Sequence, residues 1–134
     1  MFLGQFEPQF SSNSKRLSIP VKLRSGLTKN KVILSKGFDQ CIFGYSADGW
    51  EAQSAKHLEN PISDQTGRDL RRFIFSASEE VDFDKQGRIV IPKTLIDYAE
   101  IDQSVTVIGA GDHFEIWSTK KWNEKIYAID TKHR

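Results

Sequence analysis

The sequence predicts a mainly β domain with peripheral helices (α+β), assembled from two tandem copies of one unit. Three observations predict it. Shifting the chain by 72 positions aligns Arg16-Leu17-Ser18-Ile19-Pro20 with Arg88-Ile89-Val90-Ile91-Pro92. The same shift aligns Leu23 with Leu95, Gly37 with Gly109, Tyr45-Ser46 with Trp117-Ser118, and Trp50 with Trp122. Within each copy, short runs of β-branched and aromatic residues alternate with turn residues, the pattern of brief strands. Segments with apolar residues at helical spacing follow each copy. The copies cover residues 5–50 and 77–122. A unit so small cannot bury both faces of its own sheet, so the two are expected to pair as one pseudo-two-fold domain.

Each element has a local reason. In the second copy Glu80-Val81-Asp82-Phe83-Asp84 alternates polar and apolar, as a half-buried strand does. Lys85-Gln86-Gly87 supplies a turn, with Gly87 free to take positive φ. Arg88 to Ile91 resumes a strand until Pro92 stops it or begins a helical turn. Val105 to Ile108 and Phe114 to Trp117 form a further pair across Gly109-Ala110-Gly111-Asp112. In the first copy Phe6 to Phe10, Arg16 to Ile19, Val32 to Leu34 and Cys41 to Phe43 take the same places. Helices are expected over Ala47–Glu59, Asp64–Ser76 and Lys120–Ile129, with Ser46 and Ser118 at N-cap positions. Their apolar residues, Trp50, Ala55, Leu58, Leu70, Phe73, Ile74, Trp122, Ile126 and Ile129, read as core or subunit contacts.

Several classes of function are disfavoured. A chain of 134 residues and 15.3 kDa, 38% hydrophobic and 28% charged, suits one soluble domain. The single cysteine, Cys41, excludes an internal disulfide framework and a cysteine zinc site. No apolar run approaches the length of a membrane span, and the N-terminus lacks a basic region followed by an apolar stretch, so a cytoplasmic protein is expected. There is no Walker loop and no complete dinucleotide fingerprint. Gly44-Tyr45-Ser46-Ala47-Asp48-Gly49 resembles a nucleophile elbow with its second glycine one position late, so Ser46 reads as a helix cap. His57, His113 and His133 are scattered and are expected at the surface or in turns. No catalytic residue, metal site, cofactor or small-molecule substrate is assigned, and the chain is not expected to be an enzyme.

The net charge of +1 conceals an uneven distribution. Between Pro8 and Phe38 stand Lys15, Arg16, Lys22, Arg24, Lys29, Lys31 and Lys36 with no acidic residue. Residues 1–50 carry a balance of +4 and residues 51–134 one of −3. Phosphate contacts are local and salt screens more distant charge, so the docking face decides whether nucleic acid binds.

The start Met1-Phe2-Leu3-Gly4-Gln5-Phe6-Glu7, the paired Arg-x-x-Ile-Pro segments and Asp84-Lys85-Gln86-Gly87-Arg88 resemble the MraZ family of bacterial transcriptional regulators. The resemblance spans nearly the whole chain, as two AbrB/SpoVT-like repeats with helices after each. Its most specific mark is a D-x-x-x-R motif, intact as Asp84 and Arg88. In the first repeat Ser12 stands where Asp is expected and Lys15 where Gly is common, the stretch before Arg16 being one residue longer. The resemblance implies a double-hairpin, swapped-hairpin AbrB-like β-barrel and assembly into a ring homo-oligomer, an octamer or larger. It further implies double-stranded promoter DNA as partner, a nucleoid-associated location, and repression of the operon that opens the division and cell-wall cluster.

Site roles follow from both readings. Arg16 and Arg88 are candidates for base-edge or phosphate contact, Lys15 and Lys85 for phosphates, and Lys22 and Arg24 for the flanking backbone. Ser12, Asp84 and Gly87 are the turn-ordering residues, and the first loop is expected to be the less rigid. The alternative is a double-hairpin module used for protein–protein assembly or as an antitoxin, which needs no arginine at both turns.

Overall fold

In the computed structural model, which describes residues 1–134, the two copies are joined along two pairs of equivalent strands and two further ladders. The first copy contributes β1 (Gln5–Phe6), β2 (Phe10–Ser11), β3 (Arg16–Ser18), a short α1 (Val21–Arg24), β4 (Lys31–Lys36) and β5 (Ile42–Tyr45). Two helices follow, α2 (Ala47–His57) and α3 (Gln65–Phe75). The second copy contributes β6 (Glu79–Asp82), β7 (Arg88–Val90), α4 (Lys93–Tyr98), β8 (Val105–Gly109) and β9 (Phe114–Ser118), and α5 (Thr119–Lys132) closes the chain.

Strands β3 and β7 run antiparallel with Leu17 opposite Ile89, Arg16 opposite Val90 and Ser18 opposite Arg88. Residues related by the repeat thus exchange places about the Leu17–Ile89 pair. The same relation recurs where β5 meets β9 around Phe43 and Glu115. The copies also interleave: β1 pairs with β8 of the second copy, and β6 pairs with β4 of the first.

The ladders form an open six-stranded sheet, β1-β8-β9-β5-β4-β6, and a three-stranded sheet, β2-β3-β7, where the resemblance implied one closed barrel. Pro8 lacks an N–H and divides the expected Phe6–Phe10 strand into β1 and β2. Between the sheets lies one apolar core, in which Leu17, Leu23, Leu34, Ile42, Ile91, Leu95, Val107, Phe114 and Ile116 are fully buried. A smaller cluster holds Cys41, Trp117 and Trp122 under α5, so Cys41 is packing material.

The helices fall near their expected places. Ser46 Oγ accepts from Gly49 N at 3.0 Å and Asp64 from Gly67 N at 3.2 Å, so both cap as such residues should. Ser118 occupies the N-cap of α5 without a side-chain bond; its expected capping role is not realised, its hydroxyl making no bond to the first turn. At the C-cap of α2, Leu58, read as a core or subunit contact, is 51% exposed and so is not core, while His57, expected at the surface or in a turn, is buried edge-on to Phe75.

His113 lies in the turn between β8 and β9, one of its two expected settings, and is part-buried there. Its ring centroid lies 4.4 Å from that of Phe43 with the planes tilted by 54°, and its Nδ1 and Nε2 each lie 2.8 Å from a carboxylate oxygen, of Asp112 and Glu115. A neutral imidazole has one N–H, so satisfying both bonds requires the imidazolium. Burial, the largest single influence, opposes that charge; the bonds and charges of Glu115 and Asp112 together outweigh it and raise the pKa above 6.5. This stabilisation is complete below pH 6.5 and is lost as pH rises through the folded-state value. His113 thus contributes a fall in melting temperature as pH rises above 6.5, opposed by buried His57, whose pKa burial lowers, and His113→Gln should remove that contribution in a thermal-denaturation series.

Candidate nucleic-acid interface

The two equivalent turns sit at opposite ends of the three-stranded sheet. The second joins β6 to β7: Asp84 N donates to Arg88 O at 2.8 Å and Gly87 N to Asp84 O at 3.1 Å. Gly87 takes φ +74°, which costs glycine little. Asp84 organises this turn. Its Oδ1 accepts from the backbone N–H of Gln86 (2.8 Å) and Arg88 (2.9 Å), and its Oδ2 accepts from Arg88 Nε (2.9 Å).

Those bonds, the one from the Arg88 amide foremost, hold the Asp84 carboxyl below its ordinary 3.8. Its contribution to stability is present above pH 3.8 and is lost as pH falls through the lowered value. Asp84→Ala should lower the melting temperature at neutral pH and reduce the decline on acidification, read from circular dichroism melts at stepped pH.

The first turn joins β2 to β3, with Ser11 opposite Arg16 and four residues between. It is one residue longer than the second, so the 72-residue shift holds from Lys15 onward and becomes 73 at Ser11. Ser11, rather than Ser12, takes the place of Asp84. Ser11 Oγ accepts from Ser14 N at 3.4 Å, and no hydrogen bond involves the Ser12 side chain, which corrects the turn-ordering role expected of Ser12. Lys15, matched to Gly87, adopts φ 60°, a conformation unusual for a residue with a Cβ.

Pairing of β3 with β7 brings the two copies' arginines onto one face. Alternation sends Leu17 and Ile89 into the core and Arg16, Ser18 and Arg88 to the other side. Arg16 and Arg88 are diagonal neighbours across the ladder and line a shallow cleft of about 270 Å³ with Gln9, Phe10, Ser11 and Ser18. A second cleft of about 490 Å³ shares Gln9 and Ser18 and is bounded by Arg24, Gln86 and Gly87, with Glu7 as its one acidic residue. Lys22 is exposed on α1 and Lys85 at the tip of the second turn. Lys15, Arg16, Lys22, Arg24 and Lys85 make no ion pair, and Arg88 pairs with Asp84 alone. The result is a polar, cationic band with no metal-binding group of side chains beside it.

Two lysines of the basic run lie elsewhere. Lys31 pairs with Glu80 and Asp82 at 3.4 Å each, because β4 registers against acidic β6. Lys36 Nζ sits 4.9 Å above the Phe73 ring and 5.5 Å above that of Tyr98. Sequence reading had no signal for either contact.

Comparison with known proteins adds the following. The family model described as "MraZ protein, putative antitoxin-like" matches twice, at residues 1–73 and 74–132. "Transcriptional regulator MraZ" of Roseiflexus castenholzii is 35% identical over 130 residues, covering 97% of this chain and 90% of that protein. The protein of the same name from Acetivibrio thermocellus is 40% identical over 122 residues, covering 91% and 84%. That from Lactiplantibacillus plantarum is 37% identical over 124 residues, covering 92% and 86%.

Proposed function

The chain belongs to the MraZ family, and from that premise we propose that it is a transcriptional regulator that binds double-stranded promoter DNA through the β2-β3-β7 face. One observation carries this reading: the repeated arginines, 72 residues apart in the chain, share a single cleft. In that geometry Arg16 and Arg88 reach base edges or phosphates, Lys15 and Lys85 hold phosphates at the two turns, and Lys22 and Arg24 contact the flanking backbone. The interleaved ladders support a swapped-hairpin reading of the fold.

Each copy of the chain offers few contacts, so a ring of eight or more would let weak contacts on repeated promoter boxes act together through effective concentration. The protein on this reading represses its own operon in the division and cell-wall cluster and works in the cytoplasm at the nucleoid, with no cofactor. No helix is long and apolar enough to cross a membrane.

The test is a fluorescence-anisotropy titration of duplex from immediately upstream of the protein's own gene, repeated from about 50 to 200 mM salt. Log affinity should fall linearly with log salt, and a scrambled duplex should bind more weakly. An assembly or antitoxin-like module would show neither effect.

A further inference from the structure

The two turns on the shared face are built unequally, and the differences fall on matched positions. In the second turn Asp84 supplies three bonds. The Arg24 guanidinium lies against Gly87, where an added Cβ would come within 2.7 Å of Arg24 Cζ and Nη1. Arg24 is fixed there by its Nε bond to Ile19 O (3.0 Å), while Ile19 N donates to Gly87 O (3.2 Å). A residue of the first copy thus braces the turn of the second.

The first turn keeps the matched backbone bond, from Ile91 N to Lys15 O at 2.9 Å, and lacks the side-chain features. Ser11 offers a single bond of 3.4 Å, Lys15 replaces the glycine, and Ile96, 72 residues on from Arg24, carries no donor. Arg16 is exposed and makes no hydrogen bond through its side chain, whereas Arg88 is held at Nε.

Resting on the DNA-binding reading, we propose that sequence specificity is set by Arg88 on the braced second turn, with Arg24 as its positioning residue. Lys15 and Arg16 on the first turn supply charge that is indifferent to sequence. The Asp84 bond occupies Arg88 Nε and leaves Nη1 and Nη2, which have no protein acceptor, as the two-pronged donor that guanine accepts. An arginine already held in place gives up little rotamer freedom on binding. An unrestrained arginine must be ordered first, and phosphate oxygens accept it over a wider range of geometry than a base edge does. Lys15 is a point charge and suits a phosphate equally.

The experiment compares affinity for the upstream duplex and for a base-scrambled duplex, across a salt series, in wild type, Arg16→Ala, Arg88→Ala, Arg24→Met and Arg24→Lys. Arg88→Ala should reduce the specific-to-scrambled ratio by roughly tenfold, within the range of a lost bidentate pair. Arg16→Ala should weaken both duplexes alike, reduce the salt slope by about one, and preserve the ratio. Arg24→Met should lower the ratio severalfold, and Arg24→Lys, which keeps charge but not the planar guanidinium, should fail to restore it. Ratios reduced equally by Arg16→Ala and Arg88→Ala would overturn the division of labour while leaving DNA binding intact. An Arg24→Lys protein matching wild type would reduce Arg24 to a phosphate contact. Wild type that binds neither duplex would instead overturn the DNA-binding reading itself.

Discussion

Replacing Arg16 and Arg88 together with alanine is expected to remove specific DNA binding while leaving the fold in place. Both guanidinium groups belong to the exposed face of the three-stranded sheet, and neither side chain contributes to the core. Loss of two cationic contacts should reduce the slope of log affinity against log salt by about two. If Arg88 supplies a typical bidentate base contact, its loss removes about 1–3 kcal/mol of discrimination, while the loss of Arg16 weakens specific and scrambled duplexes alike, so the double variant should bind both weakly and nearly equally. The melting temperature should move little: the one ion pair removed, Arg88 with Asp84 at 2.9 Å, is open to solvent, which screens such pairs. Arg72→Ala on α3, whose side chain pairs only with Asp69, should leave binding unchanged in the same titration.

The largest effect on stability is expected from Leu17→Ala. Leu17 is fully buried and stands opposite Ile89 at the point where the two copies exchange places. Truncating such a leucine removes its burial and leaves a cavity, at a cost of about 2–5 kcal/mol. Against a total of about 5–15 kcal/mol for a domain, that is a large fraction, and the melting temperature should drop by roughly 10 °C or more. Because the lost packing lies between the copies, both should unfold together. Val90→Thr serves as contrast: Val90 is on the same ladder but 46% exposed, so the change should lie within about 0.5 kcal/mol. Equal losses from the two variants, measured by calorimetry, would show that the β3–β7 contact is not what unites the domain.

Much of this was legible in the sequence because two-fold-related strands must present the same residues to a shared core. Leu17 and Ile89, Leu23 and Leu95 are buried pairs at one shift, so the repeat is visible as a spacing. The cap at Ser46 is equally local and equally readable, whereas Ser118, read the same way, makes no capping bond. What could not be read depends on register or on turns. The place of Ser11 opposite Arg16 follows from one extra residue in a turn, where no hydrophobic period exists to locate it. The capture of Lys31 by Glu80 and Asp82 follows from how β4 aligns with β6. The bond pair on His113 depends on a hairpin packed against Phe43 of the other copy.

The convergence of Arg16 and Arg88 lies between these cases. The repeat makes the residues equivalent, and only antiparallel pairing of β3 with β7 puts them in one cleft. The basic run in the sequence therefore overstates the interface at Lys31 and Lys36 and understates it at Arg88, which lies in the acidic remainder.

The assignment of this face to DNA is tested most directly by lysine modification with and without the upstream duplex, read residue by residue by mass spectrometry. Lys22 and Lys85 are exposed and Lys15 partly so on the proposed face, and Lys120 and Lys132 are exposed on α5. The account predicts that DNA protects Lys15, Lys22 and Lys85 and leaves Lys120 and Lys132 reactive. Protection of the α5 lysines with Lys15, Lys22 and Lys85 unchanged would contradict it.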